Sequence, residues 1–274
     1  MHAMSIFNLE MLMRKYHKAP LPFLGQKRNW LRNIYEMDFD NKTVVDLFGG
    51  SGILSHEIKR NHPTATVVWN DFDDYQSRLD QLEKTESLRQ NLLDFGMGLE
   101  KAARIDHETK NKILSIIKAS GCTDYLTISS WVLFSGNYCH SLDEIAKKNW
   151  YFRVTKNPLS CDDYLRGVIR VQQDFRALLA EYQHKENVIF IVDPPYIMTN
   201  QQGYIPDKND DNFKLRDAIA LIKALKGQNA ILFSSTKSET DDLLEAFDIP
   251  ITKRVAYQAS SGEGRKYTEL MYVM

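Results

Sequence analysis

The chain has 274 residues, 43% of them hydrophobic, which is enough apolar material for a buried core and too much for a disordered polar chain. Thirty-five Lys and Arg against 36 Asp and Glu leave a net charge of −1, which excludes a uniformly basic nucleic-acid binder, so any phosphate contact must come from a local patch. There is no run of about 18 apolar residues and no charged-then-apolar leader, so the expectation is a cytoplasmic protein without a membrane span.

From the N-terminus, the first readable element is Lys42-Thr-Val-Val-Asp46-Leu47-Phe48, a buried strand running into Gly49-Gly50-Ser51-Gly52. Ile53 to Ile58 then has helical spacing of apolar residues. Strand, glycine turn and helix form a nucleotide-binding pattern in which glycines let the chain turn tightly and a ligand approach the backbone. A second strand, Ala65 to Trp69, ends at Asn70-Asp71, about 20 residues after the glycines, where a carboxylate can accept both hydroxyls of a ribose. Asp71 is the ribose candidate; the alternative is that Asp71, Asp73 and Asp74 form a solvated loop. The turn lacks both the full G-x-G-x-x-G spacing and a Gly-Lys-Ser/Thr cation, which disfavours a dinucleotide or triphosphate. S-adenosylmethionine, with ribose and adenine but no phosphate, fits what remains.

Ser87 to Asp94 and Asn111 to Lys118 each place apolar residues three and four apart, as packing helices do. Gly121-Cys-Thr-Asp breaks the pattern, and Tyr125 to Phe134 reads equally as helix or strand. Next, Lys147-Lys148-Asn149-Trp150-Tyr151-Phe152-Arg153-Val154-Thr155-Lys156 carries four basic residues, no acid and three consecutive aromatics. It reads as an exposed strand or hairpin on a duplex, with Lys147, Lys148, Arg153 and Lys156 on phosphates and Trp150 and Tyr151 against bases or sugars. The competing reading, of equal weight, is a half-buried strand whose aromatics fill a small core. Cys122, Cys139 and Cys161 form no C-x-x-C pair and the seven histidines have no i, i+4 spacing, so neither a disulfide nor a metal is expected. Cys139-His140 would need an orienting third group to act as a nucleophile.

The apolar run Val188 to Val192 delivers Asp193-Pro194-Pro195-Tyr196, four residues suited to methylating a planar amine. An exocyclic amine is a poor nucleophile because its lone pair is delocalised into the ring. Asp193 can accept one amine hydrogen and the Pro194 carbonyl the other, while both prolines bias the backbone toward the extended geometry that aims that carbonyl. Tyr196 offers a ring face for a displaced base, worth about 1–3 kcal/mol in stacking. The polar segment from Ile197 to Asn212 is expected to act as a lid, and Ala230 to Ser235 and Glu269 to Val273 as further strands.

These motifs, in this order, resemble the Dam-like DNA adenine methyltransferases. Phe23-Leu-Gly25-Gln26-Lys27 is similar to that family's N-terminal motif, Asp46-Leu-Phe48-Gly49-Gly50-Ser-Gly52 to its glycine motif, and Asp193-Pro-Pro-Tyr196 to its catalytic motif. The resemblance implies an α/β, Rossmann-like methyltransferase fold with a mostly parallel twisted sheet formed by residues 1–75 and 164–274, and an inserted, mainly helical target-recognition domain at 76–163. It implies that Phe23, Gly25, Gln26 and Lys27 hold the methionine end of S-adenosylmethionine, with Asp46, Phe48, Gly49, Gly50, Gly52, Asp71 and Asp193 completing its site. Val171-Gln-Gln-Asp174-Phe175 resembles the segment that contacts the cofactor adenine, which would give Asp174 the adenine amine and Phe175 the ring; a plain helix start with Asp174 as its cap is the other reading. The implied activity is site-specific transfer of a methyl group to N6 of an adenine flipped out of double-stranded DNA, as in restriction-modification, with RNA adenine N6 and DNA cytosine N4 as alternatives. A cognate restriction endonuclease would act separately, and no obligate protein partner is indicated. The Phe-Asn…Pro-Phe-Gly segment of many members is missing, which leaves the target sequence open.

Overall fold

The computed structural model describes residues 15–100, 102–134, 137–196, 213–260 and 266–274. The lid expected at 197–212 lies outside the described residues. The chain divides into two compact units, Met1–Lys18 with Gly25–Asp73 and Asp163–Met274, and Ala19–Leu24 with Asp74–Asp162.

In the first unit, among the described residues, seven strands form one sheet in the order β3-β2-β1-β4-β5-β7-β6. They are β1 (Thr43–Asp46), β2 (Thr66–Asn70), β3 (Ile169–Val171), β4 (Val188–Val192), β5 (Ala230–Ser235), β6 (Lys253–Ser260) and β7 (Lys266–Val273). The pairs β3/β2, β2/β1, β1/β4 and β4/β5 are parallel, and β7 adds antiparallel to β5 with β6 outside it. This is the mostly parallel, Rossmann-like α/β sheet that the motifs imply. Its central strands are continuous apolar runs because helices cover both faces of a parallel sheet. Val45, Val68, Phe190, Val192 and Leu232 are buried with Leu178, Leu221 and Leu225, which come from the helices Phe175–Tyr182 and Leu215–Leu225. The edge strands β3 and β6 carry weak alternation and charged residues, a common way to blunt a sheet edge, and left no readable signal in sequence.

The second unit is helical: Tyr75–Asp80, Leu82–Phe95, His107–Ser120, Tyr125–Val132 and Leu142–Ala146. Leu88, Leu92, Ile113, Ile117, Ile128, Trp131 and Trp150 form its core. Asp106 caps its helix by accepting from Thr109 N, and Gly121 (φ 63°) ends that helix in the left-handed conformation. Asp124 caps the next helix, which settles Tyr125–Val132 as helix where the sequence left two readings. Ala19–Leu24 clusters here rather than with the sheet because the Tyr75 hydroxyl donates to Leu21 O (3.0 Å) and accepts from Leu21 N (2.9 Å). No helix among the described residues is long and apolar enough to cross a membrane.

Candidate active site at the ends of β1 and β4

Strand order reverses between β1 and β4. Connections from the two strands leave in opposite directions there, and open α/β sheets bind ligands in the resulting crevice, beyond the strand C-termini. Asp46 pairs in register with Ile191, so the glycine turn after β1 and Asp193 after β4 emerge side by side at that end.

The glycine turn is built by close packing. Gly50 (φ 48°) and Gly52 (φ 74°) adopt positive φ. A Cβ on Gly49 would lie 2.1 Å from the Trp69 ring, and one on Gly52 would lie 2.8 Å from Leu165. Part of the need for glycine therefore comes from the indole and leucine packed against the turn. Trp69 Nε1 is buried without a hydrogen-bond partner among the described residues. Asn70 holds the surrounding loops together: Nδ2 donates to Leu47 O (3.0 Å) and Gln173 O (2.9 Å), and Oδ1 accepts from Gln173 N (3.1 Å). The sequence reading gave no site role to Asn70, Arg170, Phe213 or Glu269; Asn70 and Arg170 adjoin the segments that begin at Asp71 and Val171, whereas nothing in linear order points to Phe213 and Glu269.

Asp193, its side chain 19% exposed, is paired with the buried Lys27 at 2.5 Å. Lys27 Nζ also donates to Gly25 O (3.1 Å) and lies 5.7 Å from the Tyr196 ring centre. Burial raises the Asp193 carboxyl above the usual carboxylate range; Lys27 opposes that rise and Glu269 adds to it. Glu269 on β7 accepts from Trp30 Nε1 (3.1 Å), and Trp30 N donates to Lys27 O (2.9 Å), so the turn that carries Lys27 is anchored to the sheet. Asp46 is buried and accepts from Ser55 Oγ (2.7 Å). Burial pushes its carboxyl up to about 7, with the Ser55 hydrogen bond opposing and the Asp193 charge adding.

On the other side of the turn, Asp71 is fully buried and accepts from Arg170 Nε on β3 (2.8 Å). It is not the solvated loop of the alternative reading. Burial first, then the charge of Asp71, lifts Asp73 to about 6. Phe48, Phe175 and Phe213 form a half-buried aromatic cluster, with Phe48 to Phe175 at 4.9 Å and Phe213 at 5.9 Å from each. Asp174 caps the helix Phe175–Tyr182 by accepting from Arg176 N (2.8 Å) and pairs with the Arg176 guanidinium, as an ordinary helix start does. Phe23, in the helical unit, packs edge-on against Tyr75 at 5.8 Å. Asp38, Asp40 and His62 bring ligand atoms within 4.8 Å of one another, but the acids are exposed and bonded to their own chain.

A profile described as the D12 class N6 adenine-specific DNA methyltransferase matches residues 23–256. The chain belongs to that family. A Haemophilus influenzae protein named provisionally as a methyltransferase is 36% identical over 236 residues, covering 82% of this chain and 78% of that protein. The crystal structure of SMU.776, provisionally a methyltransferase and complexed with SAH, is 13% identical with a TM-score of 0.38; the match covers 90% of this chain and 49% of that one, so this chain spans about half its length.

In this D12 methyltransferase the basic aromatic segment departs from the expected exposed strand or hairpin. An isolated bridge, Arg104 to Tyr151, is its only ladder pairing among the described residues. Its backbone is extended, with Tyr151 N donating to Val132 O and Arg153 N to Trp131 O on one side, and Ile105 N donating to Trp150 O on the other. Extended chain alternates its side chains, so Trp150, Phe152 and Val154 go into the core while Tyr151, Arg153 and Thr155 face outward. Trp150, 1% exposed, donates to Ile145 O (2.8 Å) and cannot reach a ligand surface, which corrects its assignment to DNA. Lys147, Lys148 and Lys156 are exposed. Cys139 is buried, which raises its thiol, the opposite of an activated nucleophile.

Proposed function

We propose that the protein transfers the methyl group of S-adenosylmethionine to the exocyclic N6 of an adenine flipped out of double-stranded DNA, and that the crevice beyond β1 and β4 is the site. The observation that carries this reading is the Asp193–Lys27 pair beside Tyr196, where burial raises the carboxyl and a buried cation opposes that rise. Asp193 and the Pro194 carbonyl accept the two amine hydrogens and localise the lone pair on nitrogen. Tyr196 stacks on the displaced base, offsetting part of the few kcal/mol that flipping costs. The bound cofactor supplies a methyl group on a positively charged sulfur.

The residues present suit that group. The crevice carries buried acids, no phosphate-cradling Gly-Lys pair, and a half-buried set of rings at Phe48, Phe175 and Phe213 able to take an adenine. Asp71, fully buried and paired with Arg170, holds the loop, and half-buried Asp73 beside it is the acceptor open to a ribose, one that the motif alone did not suggest. Gly25, Gln26 and Lys27 would face the methionine end. Lys147, Lys148, Arg153 and Lys156 supply cations for phosphate in a chain without net positive charge.

The test is transfer of tritiated methyl from S-adenosylmethionine onto duplex DNA, single-stranded DNA and structured RNA, followed by nucleoside digestion. Label in N6-methyladenine from the duplex is the expected result. Label confined to RNA, or to N4-methylcytosine, would overturn the proposal.

A further inference from the structure

The inserted unit holds an exposed aromatic that the basic segment does not contain. Phe134, just past the end of the helix Tyr125–Val132, is 62% exposed. A single exposed hydrophobic residue ordinarily means nothing. Two neighbours set this one apart. Tyr151 packs edge-on against it with ring centres 5.8 Å apart, and the Arg153 guanidinium lies over its ring at 5.8 Å. Both come from the extended segment whose backbone is bonded to Trp131 and Val132, so the fold aligns the outward face of that segment with the phenyl ring. A cation over a ring face is worth most where water is excluded, and here it steadies a ring that solvent would otherwise leave free to rotate.

The segment that supplies Tyr151 and Arg153 is itself basic. Between Lys147 and Lys156 there are four cations and no acid, in a chain whose total charge is −1. The Arg104 guanidinium, bonded to Asn149 Oδ1 (3.0 Å), adds a fifth beside the same segment. An apolar protein partner would gain nothing from five cations, and an anionic lipid surface would not need an upright aromatic pair held in a fixed geometry. A phosphodiester backbone with π-faces beside it satisfies both halves of the surface.

We propose that Phe134, with Tyr151 and Arg153, forms a duplex DNA contact in which the phenyl ring packs on a base or deoxyribose face and the flanking cations take phosphates. This rests on the reading of the substrate as DNA, and it is tested by binding, independently of methyl transfer. Full-length protein is titrated into a fluorescently labelled random-sequence duplex, and into an RNA hairpin of similar size, at several salt concentrations. Phe134→Ala is expected to weaken duplex binding about ten-fold, or about 1.4 kcal/mol, and Phe134→Trp to restore it. Arg153→Ala should weaken binding and lower the salt slope by about one. Exposed Ile251, on the sheet unit, serves as control, and Ile251→Ala should bind as wild type. Because Phe134 is exposed, its variants should keep the wild-type melting temperature, which separates lost contact from lost fold. Wild-type duplex affinity in Phe134→Ala would overturn the inference. So would a Phe134 effect seen on RNA and not on duplex. A wild-type protein that binds duplex through Phe134 but methylates no adenine would leave this inference standing and sink the proposed function instead.

Discussion

The two units treat the same residue type in opposite ways. Beyond the strand ends of the sheet unit, burial lifts Asp46 to about 7, Asp73 to about 6, and Asp193 above the usual carboxylate range. In the helical unit, Glu86 is lowered by the hydrogen bond from Arg89, and Asp106 by the helix N–H groups it caps. Buried Asp124 in that unit is gripped by Arg78 (2.8 Å) and by Thr127. Acids whose partners balance them belong to the scaffold. Acids held in the interior with too few cations are costly to fold around, and such groups gather where a ligand will supply hydrogen-bond donors or positive charge.

The widest gap between these classes should appear on removing one acid from the crevice. Asp193→Ala is expected to lower turnover by about 10²–10³-fold, or about 3–4 kcal/mol in the barrier, while the dissociation constant for S-adenosylmethionine changes little. Single-turnover rates beside equilibrium binding of the cofactor measure both. A wild-type rate would return Asp193 to the scaffold class.

Second in size is the matched pair of the helical unit. Arg78→Ala leaves the Asp124 carboxylate buried with Thr127 alone, and should destabilise the fold by about 3 kcal/mol, read from urea unfolding. A loss below about 1 kcal/mol would place the pair with exposed ion pairs and blur the contrast.

How much of this was legible in order along the chain depended on range. Val188–Val192 and Ala230–Ser235 could be bounded in full because buried parallel strands are uninterrupted apolar runs, and Ile53 onward could be read because its apolar spacing is helical. Strands β3 and β6 could not, since edge strands lack that pattern. Within the candidate site, Asp46, the glycines and Asp193 were visible as motifs. Lys27 was visible too, in the N-terminal motif, but the pairings were not: Lys27 meets Asp193 across 166 positions, Arg170 meets Asp71 across 99, and Trp30 meets Glu269 across 239. The basic segment was ambiguous for a different reason. Three consecutive aromatics look alike in sequence, whereas extended backbone sends alternate ones to opposite sides, burying Trp150 and leaving Tyr151 outside.

A smaller effect separates the classes by pH. Asp46 has a folded value raised above its unfolded one, so the stability contributed by its neutral form is complete at acid pH, below the unfolded value, and is lost as pH rises through about 7. Between about pH 6 and pH 8 that loss should be on the order of 1 kcal/mol. Asp46→Asn, which cannot ionise, should remove this slope from urea unfolding measured at the two pH values. An unchanged slope in the variant would assign the titration to another group.

The finest comparison is between two glycines that share a backbone conformation and differ in what surrounds it. Gly121 in the helical unit and Gly52 in the crevice have φ of 63° and 74°, so an L side chain is strained at either. A Cβ on Gly121 would meet nothing within 4 Å, whereas on Gly52 it would press on Leu165, with Trp69 close by. Gly121→Ala should therefore report backbone strain alone, about 1 kcal/mol in urea unfolding. Gly52→Ala should lose more, because strain and overpacking add, and should weaken cofactor binding where Gly121→Ala leaves it unchanged. Equal losses with unchanged cofactor affinity would mean that the glycine turn is spaced by its conformation only, and that the tight packing of Trp69 and Leu165 against it has no part in shaping the crevice.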